Sequence, residues 1–292
     1  MNAEHQARLT LFSLIEGGNS FWASQIHEYG ALTTLQRLHE RCYDPIKYQT
    51  LYTKLAAFNL EQAGEKIASI NAHFIHPQSP EWPLALTDLS APPIGLIVKG
   101  DCAALSQPSV AIVGTRNPTP YGVRFAGDFA AGFVDRGWNV VSGGAYGIDA
   151  AAHKGALIAE GVTVAVLASG LDIAYPAGHV RLFAEIEETG ALVSEVMPGT
   201  PAIPARFLTR NRIIAALSQA TLVVEAAFRS GSLRTAHDAA ELMRLVMAIP
   251  GPITSPTSEG CHRLIGERAA ELVTSVSDAA ELLASLDETI QV

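Results

Sequence analysis

The chain has 292 residues, 48% hydrophobic and 17% charged, with a formal net charge of −9, which describes a globular protein able to bury a full core. Its longest apolar stretch, VTVAVLASGL, falls far short of the roughly 20 residues of a membrane helix, and MNAEHQARLT lacks the basic and apolar regions of a secretory signal. Cys42, Cys102 and Cys261 are odd in number and scattered, which fits reduced cytoplasmic thiols and excludes a disulfide frame or a cysteine zinc site.

Residues 1–70 are rich in Leu and Ala. Helical spacing in Leu9, Phe12 and Leu14, and again in Leu51, Leu55 and Phe58, predicts several small helices broken at Gly17-Gly18 and Gly30. A proline-rich passage from Pro77 to Pro93 reads as a linker within residues 71–107, and GLIVKGD (95–101) as a lead-in strand. From residue 108 the pattern alternates. VAIV, NVV, VTVAVLA, ALVS, TLVVEA and LVMAIP are continuously apolar runs separated by helical segments, one marked by Phe125, Phe129 and Phe133. Such runs are expected when helices cover both faces of a parallel sheet. The expected fold is therefore α/β, a doubly wound and mostly parallel sheet over 108–292, preceded by a small all-α domain.

Ligands of such sheets bind outside the carboxyl ends of the strands. Four strand ends here are rich in small residues: Gly114-Thr115-Arg116-Asn117, Ser142-Gly143-Gly144-Ala145, Ser169-Gly170, and Glu225 leading to Ser230-Gly231-Ser232. Glycine admits close backbone approach, and the helix N-terminus that follows favours an anion. Two such loops in succession point to a polyanion, with Arg116 inside the first. No loop is GxGxxG followed by an acid, and none is GxxxxGK[ST], so an ordinary dinucleotide site or P-loop is unsupported.

Other candidates for chemistry are weaker. Asp149 and His153 lie four apart, but the first-turn position of Asp149 reads as a charge on the helix dipole. His179 has no companion at metal-ligand spacing, and Ser142, Ser230 and Ser232 lack the G-x-S-x-G elbow. Residues 206–234 hold five arginines (Arg206, Arg210, Arg212, Arg229, Arg234) and one acid, Glu225. Arg210-Asn211-Arg212 is expected at the front of a helix whose Ile213, Ile214 and Leu217 face the core. Its guanidinium groups would then fork onto phosphates beside the strand ends. Phe207 is either a stacking surface for a base or a core anchor.

The runs GTRNPTPYG, SGGAYGIDAAAH, GLDIAYP, LVSEVMPG, RFLTRNRIIAALS, VVEAAFRSGSLRTA and AIPG, in that order over about residues 75–270, resemble the DNA-processing protein A (DprA, also called Smf) family. The resemblance implies an extended Rossmann-like domain that binds single-stranded DNA, forms a homodimer and loads the RecA recombinase during natural transformation or recombination. It implies no catalytic turnover; no cofactor or metal is expected. Carried onto this chain, it places Gly114, Thr115, Arg116, Phe207, Arg210, Arg212, Ser230, Gly231 and Ser232 around the DNA backbone. Ser142, Gly143 and Gly144 complete the phosphate-facing wall. Relatives often have a basic residue where this chain has Pro204, with Arg206 nearby to compensate, and Met243 and His262 replace an expected Gly and Asn. The leading helices resemble the sterile-alpha-motif-like or helix-hairpin-helix domain found in front. ELVTSVSDAAELLASLDETIQV reads as a last strand and helix, so no carboxyl-terminal winged helix is expected. Two other readings remain: an enzyme similar to nucleoside-monophosphate phosphoribohydrolases, whose PGGxGT loop corresponds to SGSLRT here, and a nucleotide-sensing interaction domain.

Overall fold

The computed structural model describes residues 2–290. Four helices come first: α1 (Ala3–Leu14), α2 (Ser20–His39), α3 (Gln49–Ala57) and α4 (Leu60–Ala68). Asn2, Asn19 and Asn59 cap three of them by accepting backbone N–H groups of the first turn. The helix α2 kinks at Gly30, which adopts φ 78°. Ala7, Leu11, Ile15, Trp22, Leu38 and Leu55 form the core of this region. Leu9 and Phe12 of α1 instead pack with residues of the sheet, so the helical region is joined to the rest by apolar contact.

The proline-rich passage is not a free linker. It is flanked by β1 (His73–Ile75) and β2 (Leu96–Gly100), which pair antiparallel with each other, and β2 pairs antiparallel with β6 (Ala191–Ser194). Between β1 and β2, Trp82, Leu86 and Leu89 are buried in the main core. The remaining strands are β3 (Ser109–Val113), β4 (Asn139–Ser142), β5 (Thr163–Leu167), β7 (Ala220–Val223), β8 (Leu245–Ala248) and β9 (Glu271–Leu272). Among the described residues the sheet has nine strands in the order β1-β2-β6-β5-β4-β3-β7-β8-β9, and every pair from β6 to β9 is parallel.

Alternate residues of β3 show why the strands are apolar throughout. Val110 and Ile112 pack under α5 (Pro120–Val134), α6 (Ile148–Ile158) and α11 (Val276–Ile290). Ala111 and Val113 face α8 (Pro204–Leu217), α9 (Gly231–Glu241) and α10 (Glu259–Gly266). The expected Phe125, Phe129 and Phe133 stripe lies on α5, with Phe129 and Phe133 fully buried. α7 (Val180–Thr189) covers β5 and β6 through Leu182, Phe183 and Ile186. The chain winds from β3 towards β6 on one side and from β7 towards β9 on the other. The carboxyl ends of β3 and β7 therefore flank the topological switch point, the place where an open α/β sheet leaves a crevice.

Candidate nucleic-acid interface

At the switch point the loop after β3 is fastened to β7. Thr115 N–H donates to the Glu225 carbonyl (2.7 Å), and the buried Glu225 carboxylate accepts from Thr119 N–H (2.9 Å) and Oγ1 (2.7 Å). On the other side, Ile148 N–H donates to the Thr115 carbonyl (3.1 Å). Gly147, at φ 88°, packs so closely that a Cβ there would lie 2.3 Å from that carbonyl oxygen. With the backbone held on both sides, Arg116 is exposed at the mouth of the crevice. Its guanidinium carbon sits 4.7 Å from the centroid of the Phe207 ring, a cation–π contact that gives the side chain a shelf.

The crevice is about 510 Å³, within the roughly 300–1,000 Å³ of ligand sites. Gly114 and Arg116 line it on one side, Phe207 and Asn211 of α8 on another, and Ser230-Gly231-Ser232 opens α9 along the third. Ser230 caps α9, its Oγ accepting from Ser232 N–H (3.3 Å) and lying 2.7 Å from Ser232 Oγ. Asn211 Nδ2 donates to the Gly231 carbonyl (3.2 Å) and ties this loop to α8.

Arg210 forms part of the floor rather than the rim. It is 6% exposed, its Nη1 donates to the Val166 carbonyl, and its Nη2 stands 4.0 Å from Asp149 Oδ2. Its Nε has no hydrogen-bond partner among the described residues. Burial lowers its pKa to about 10, against the pull of Asp149, so it remains a cation at neutral pH. Burial raises the pKa of Asp149, opposed chiefly by Arg210. The guanidinium occupies the space a side chain on Gly143 would need, since a Cβ there would fall 2.0 Å from Nη1.

Several expected positions lie elsewhere. The helix α8 starts at Pro204, so Arg210 and Arg212 are in its middle, not at its front. Arg212 points away from the crevice. Its Nη2 is paired with Glu195 at 2.5 and 2.7 Å, and its Nη1 donates to the Ala91 carbonyl (2.8 Å). Ser142 is fully buried and donates to the Ile112 carbonyl (2.6 Å), and the Gly144 carbonyl meets His179 Nδ1 (2.9 Å). The wall expected from Ser142, Gly143 and Gly144 is thus packed support beneath the crevice. Arg206, expected to compensate for Pro204, is paired with Glu16 at 2.5 Å.

Tyr175 was absent from the expected set. It is 47% exposed, lines the crevice, and its ring lies 5.5 Å from that of Phe207. Its signal in the sequence was an aromatic just past the strand-end Gly170. Asp149 and His153 do not form a pair. His153 Nδ1 lies 2.7 Å from Thr163 Oγ1, and burial lowers its pKa to about 3. Among the described residues no group of three or more His, Cys, Asp and Glu is arranged for a metal, and no helix is long and apolar enough to cross a membrane.

Fold and crevice together define an extended Rossmann-like α/β protein whose switch point is lined by arginine, aromatic rings and a helix N-terminus. The chain belongs to the DNA recombination-mediator protein A family, whose model matches residues 73–284. It is 52% identical over 180 residues to the putative DNA processing protein DprA of Mycobacterium tuberculosis, covering 62% of this chain and 46% of that protein. Its identity with protein Smf of Escherichia coli is 44% over 225 residues, 77% of this chain and 58% of that protein. It therefore spans about half the length of these relatives. The X-ray structure of DprA from Streptococcus pneumoniae superposes with a TM-score of 0.82 at 31% identity, covering 96% of this chain and 98% of that one. DNA processing protein A from Helicobacter pylori, whose structure gave insight into its single-stranded DNA binding mode, matches with a TM-score of 0.67 at 29% identity. That match covers 73% of this chain and 96% of that one.

Proposed function

We propose that this chain binds single-stranded DNA in the switch-point crevice and, as a homodimer, loads RecA recombinase onto it during transformation or recombination. The observation that carries the binding reading is the exposed Arg116, laid on the Phe207 ring in a crevice it shares with the N-terminus of α9. A guanidinium fork and the positive end of the α9 dipole in one crevice suit a phosphodiester passing between them. Arg210 adds positive charge from below, partly offset by Asp149. None of these groups reads a base edge, so binding is expected to be tolerant of sequence. The kinship with a relative studied for its single-stranded DNA binding mode supports the same reading. RecA loading and dimerisation rest on family membership. A cytoplasmic location follows from the same role.

The test is fluorescence anisotropy of a labelled oligothymidine of ~40 nucleotides over a range of salt, where each phosphate contact contributes about −0.7 to the slope of log affinity against log salt. Arg116→Ala should weaken binding to all sequences alike and reduce the magnitude of the slope by about 0.7. A wild-type protein that binds mononucleotides but no oligonucleotide would instead be a nucleotide sensor, and release of free base from nucleotides would mark the enzyme reading. Earlier onset of RecA-dependent ATP hydrolysis on single-stranded DNA in the presence of this chain would support loading.

A further inference from the structure

We infer that the helical region carries a second contact surface for the same strand, an array of rings and cations built on α2, the start of α3 and the turn between them. The inference rests on the single-strand reading above and adds a site outside the crevice. Phe21 and Tyr48 lie face to face, with centroids 5.6 Å apart and planes at 18°. Trp22 and the buried Tyr43 pack edge-on beside them, 4.9 Å from one another. Tyr52 fastens Tyr43 in place: its hydroxyl donates to the Tyr43 carbonyl (2.9 Å) and accepts from Tyr43 N–H (3.2 Å).

Three cations lie at these rings. Lys47 Nζ is 5.2 Å from the centroid of Tyr48 and 5.7 Å from that of Phe21. The Arg37 guanidinium is 4.4 Å from the Tyr29 ring and 5.6 Å from that of Tyr43, and Arg41 stands 5.7 Å from Tyr52. The Arg37–Tyr29 pair repeats the arrangement of Arg116 on Phe207. None of the three cations has a carboxylate within ion-pair distance among the described residues. The acids of this stretch are engaged otherwise: Asp44 accepts from Ile46 and Lys47 N–H (2.8 and 3.0 Å), and Glu40 from Gln36 Nε2 (2.8 Å). Residues 29–54 thus hold four Lys and Arg against two acids, in a chain of net charge −9. Arg41, Lys47, Phe21 and Tyr29 are exposed. Cations free of carboxylates beside exposed rings supply what a single strand needs, charge for its phosphates and stacking for its bases. An acidic peptide would use the cations and leave the rings idle. The turn before α2 is fastened to α8 by Glu16 and Arg206, so array and crevice are held together, and a strand longer than the crevice has a second place to bind.

The test compares oligothymidines of ~6 and ~40 nucleotides; single-strand sites span roughly 4–16 nucleotides, so the short strand fills one site. In the double variant Arg41→Gln, Lys47→Gln the salt slope of the long strand should fall in magnitude by about 1.4, at about 0.7 per phosphate contact. Tyr29→Leu should weaken the long strand about fivefold or more. Neither change should alter binding of the short strand, which Arg116→Ala should weaken. An unchanged long-strand affinity and slope in both variants, or equal losses on the two lengths, overturns the inference and leaves the single-strand reading standing. A loss in the charge variant with Tyr29→Leu unaffected also overturns it, because the surface would then take any polyanion. Failure of the wild type to bind either strand overturns both.

Discussion

The Arg212–Glu195 pair gives the sharpest test of the division of labour within α8. Glu195 is 8% exposed, and Arg212 meets both its oxygens, at 2.5 and 2.7 Å. In Arg212→Met the apolar stem is retained and the charge is removed, so the cost falls on the stranded carboxylate. Breaking a buried pair from one side typically costs about 3–5 kcal/mol, a large part of the roughly 5–15 kcal/mol that holds a domain folded. The lost bond to the Ala91 carbonyl adds about 1 kcal/mol. The deficit should depend on pH. Burial already raises the Glu195 pKa, and Arg212 is the main opposing influence, so its removal raises that pKa further. Between the unfolded pKa and the raised folded one, the native state keeps a proton that the unfolded chain has released. Stability therefore falls as pH rises through this window. Urea denaturation followed by tryptophan fluorescence should show a larger deficit at pH 8 than at pH 5, and Glu195→Gln added to Arg212→Met should restore at least half of it. A deficit independent of pH would refute the pairing argument. So would a fall in the DNA salt slope like that of Arg116→Ala, because Arg212 would then be a phosphate contact.

Gly143→Ala places a Cβ 2.0 Å from a guanidinium pinned to the Val166 carbonyl, so the substitution should cost about 1–3 kcal/mol by overpacking. It should also weaken oligothymidine binding by displacing the charge in the floor; unchanged urea midpoint and affinity would show that Arg210 has room to move. His153 sits at the other end of the pH scale. Burial lowers its pKa to about 3, so below the unfolded value of about 6.5 the unfolded chain takes a proton the native state refuses. Stability is then lost as pH falls from about 6.5 towards 3, and His153→Gln should flatten this acid limb by up to one proton in denaturation series across that range.

The parts of this molecule legible in its sequence are those decided by local pattern. The parallel strands could be read because helices cover both faces, so β3 needs an apolar residue at each of Val110, Ala111, Ile112 and Val113. Three-residue β1 has no such run; it exists because β2 supplies its partner. The passage between them looked like a linker by its prolines, yet Trp82, Leu86 and Leu89 bind it to the core. In the site, the loops announced themselves through glycine and Arg116. Arg210 and Arg212 did not reveal their separate fates. Two positions apart on a helix, they point roughly 200° from one another. Their partners Asp149 and Glu195 come from distant segments that nothing local marks.

That separation joins regions the sequence kept apart. Through Arg210, α8 forms the floor of the crevice, while Arg206 meets Glu16 in the turn after α1. Gly17 beside it packs so tightly on Glu195 that a Cβ would lie 2.2 Å from the carboxylate, and Glu195 holds Arg212. The helical region is thus fastened to the back of the same helix whose front lines the crevice. A residue type alone could not have said which arginine served which side; the faces of α8, and the acids waiting opposite each, decide it.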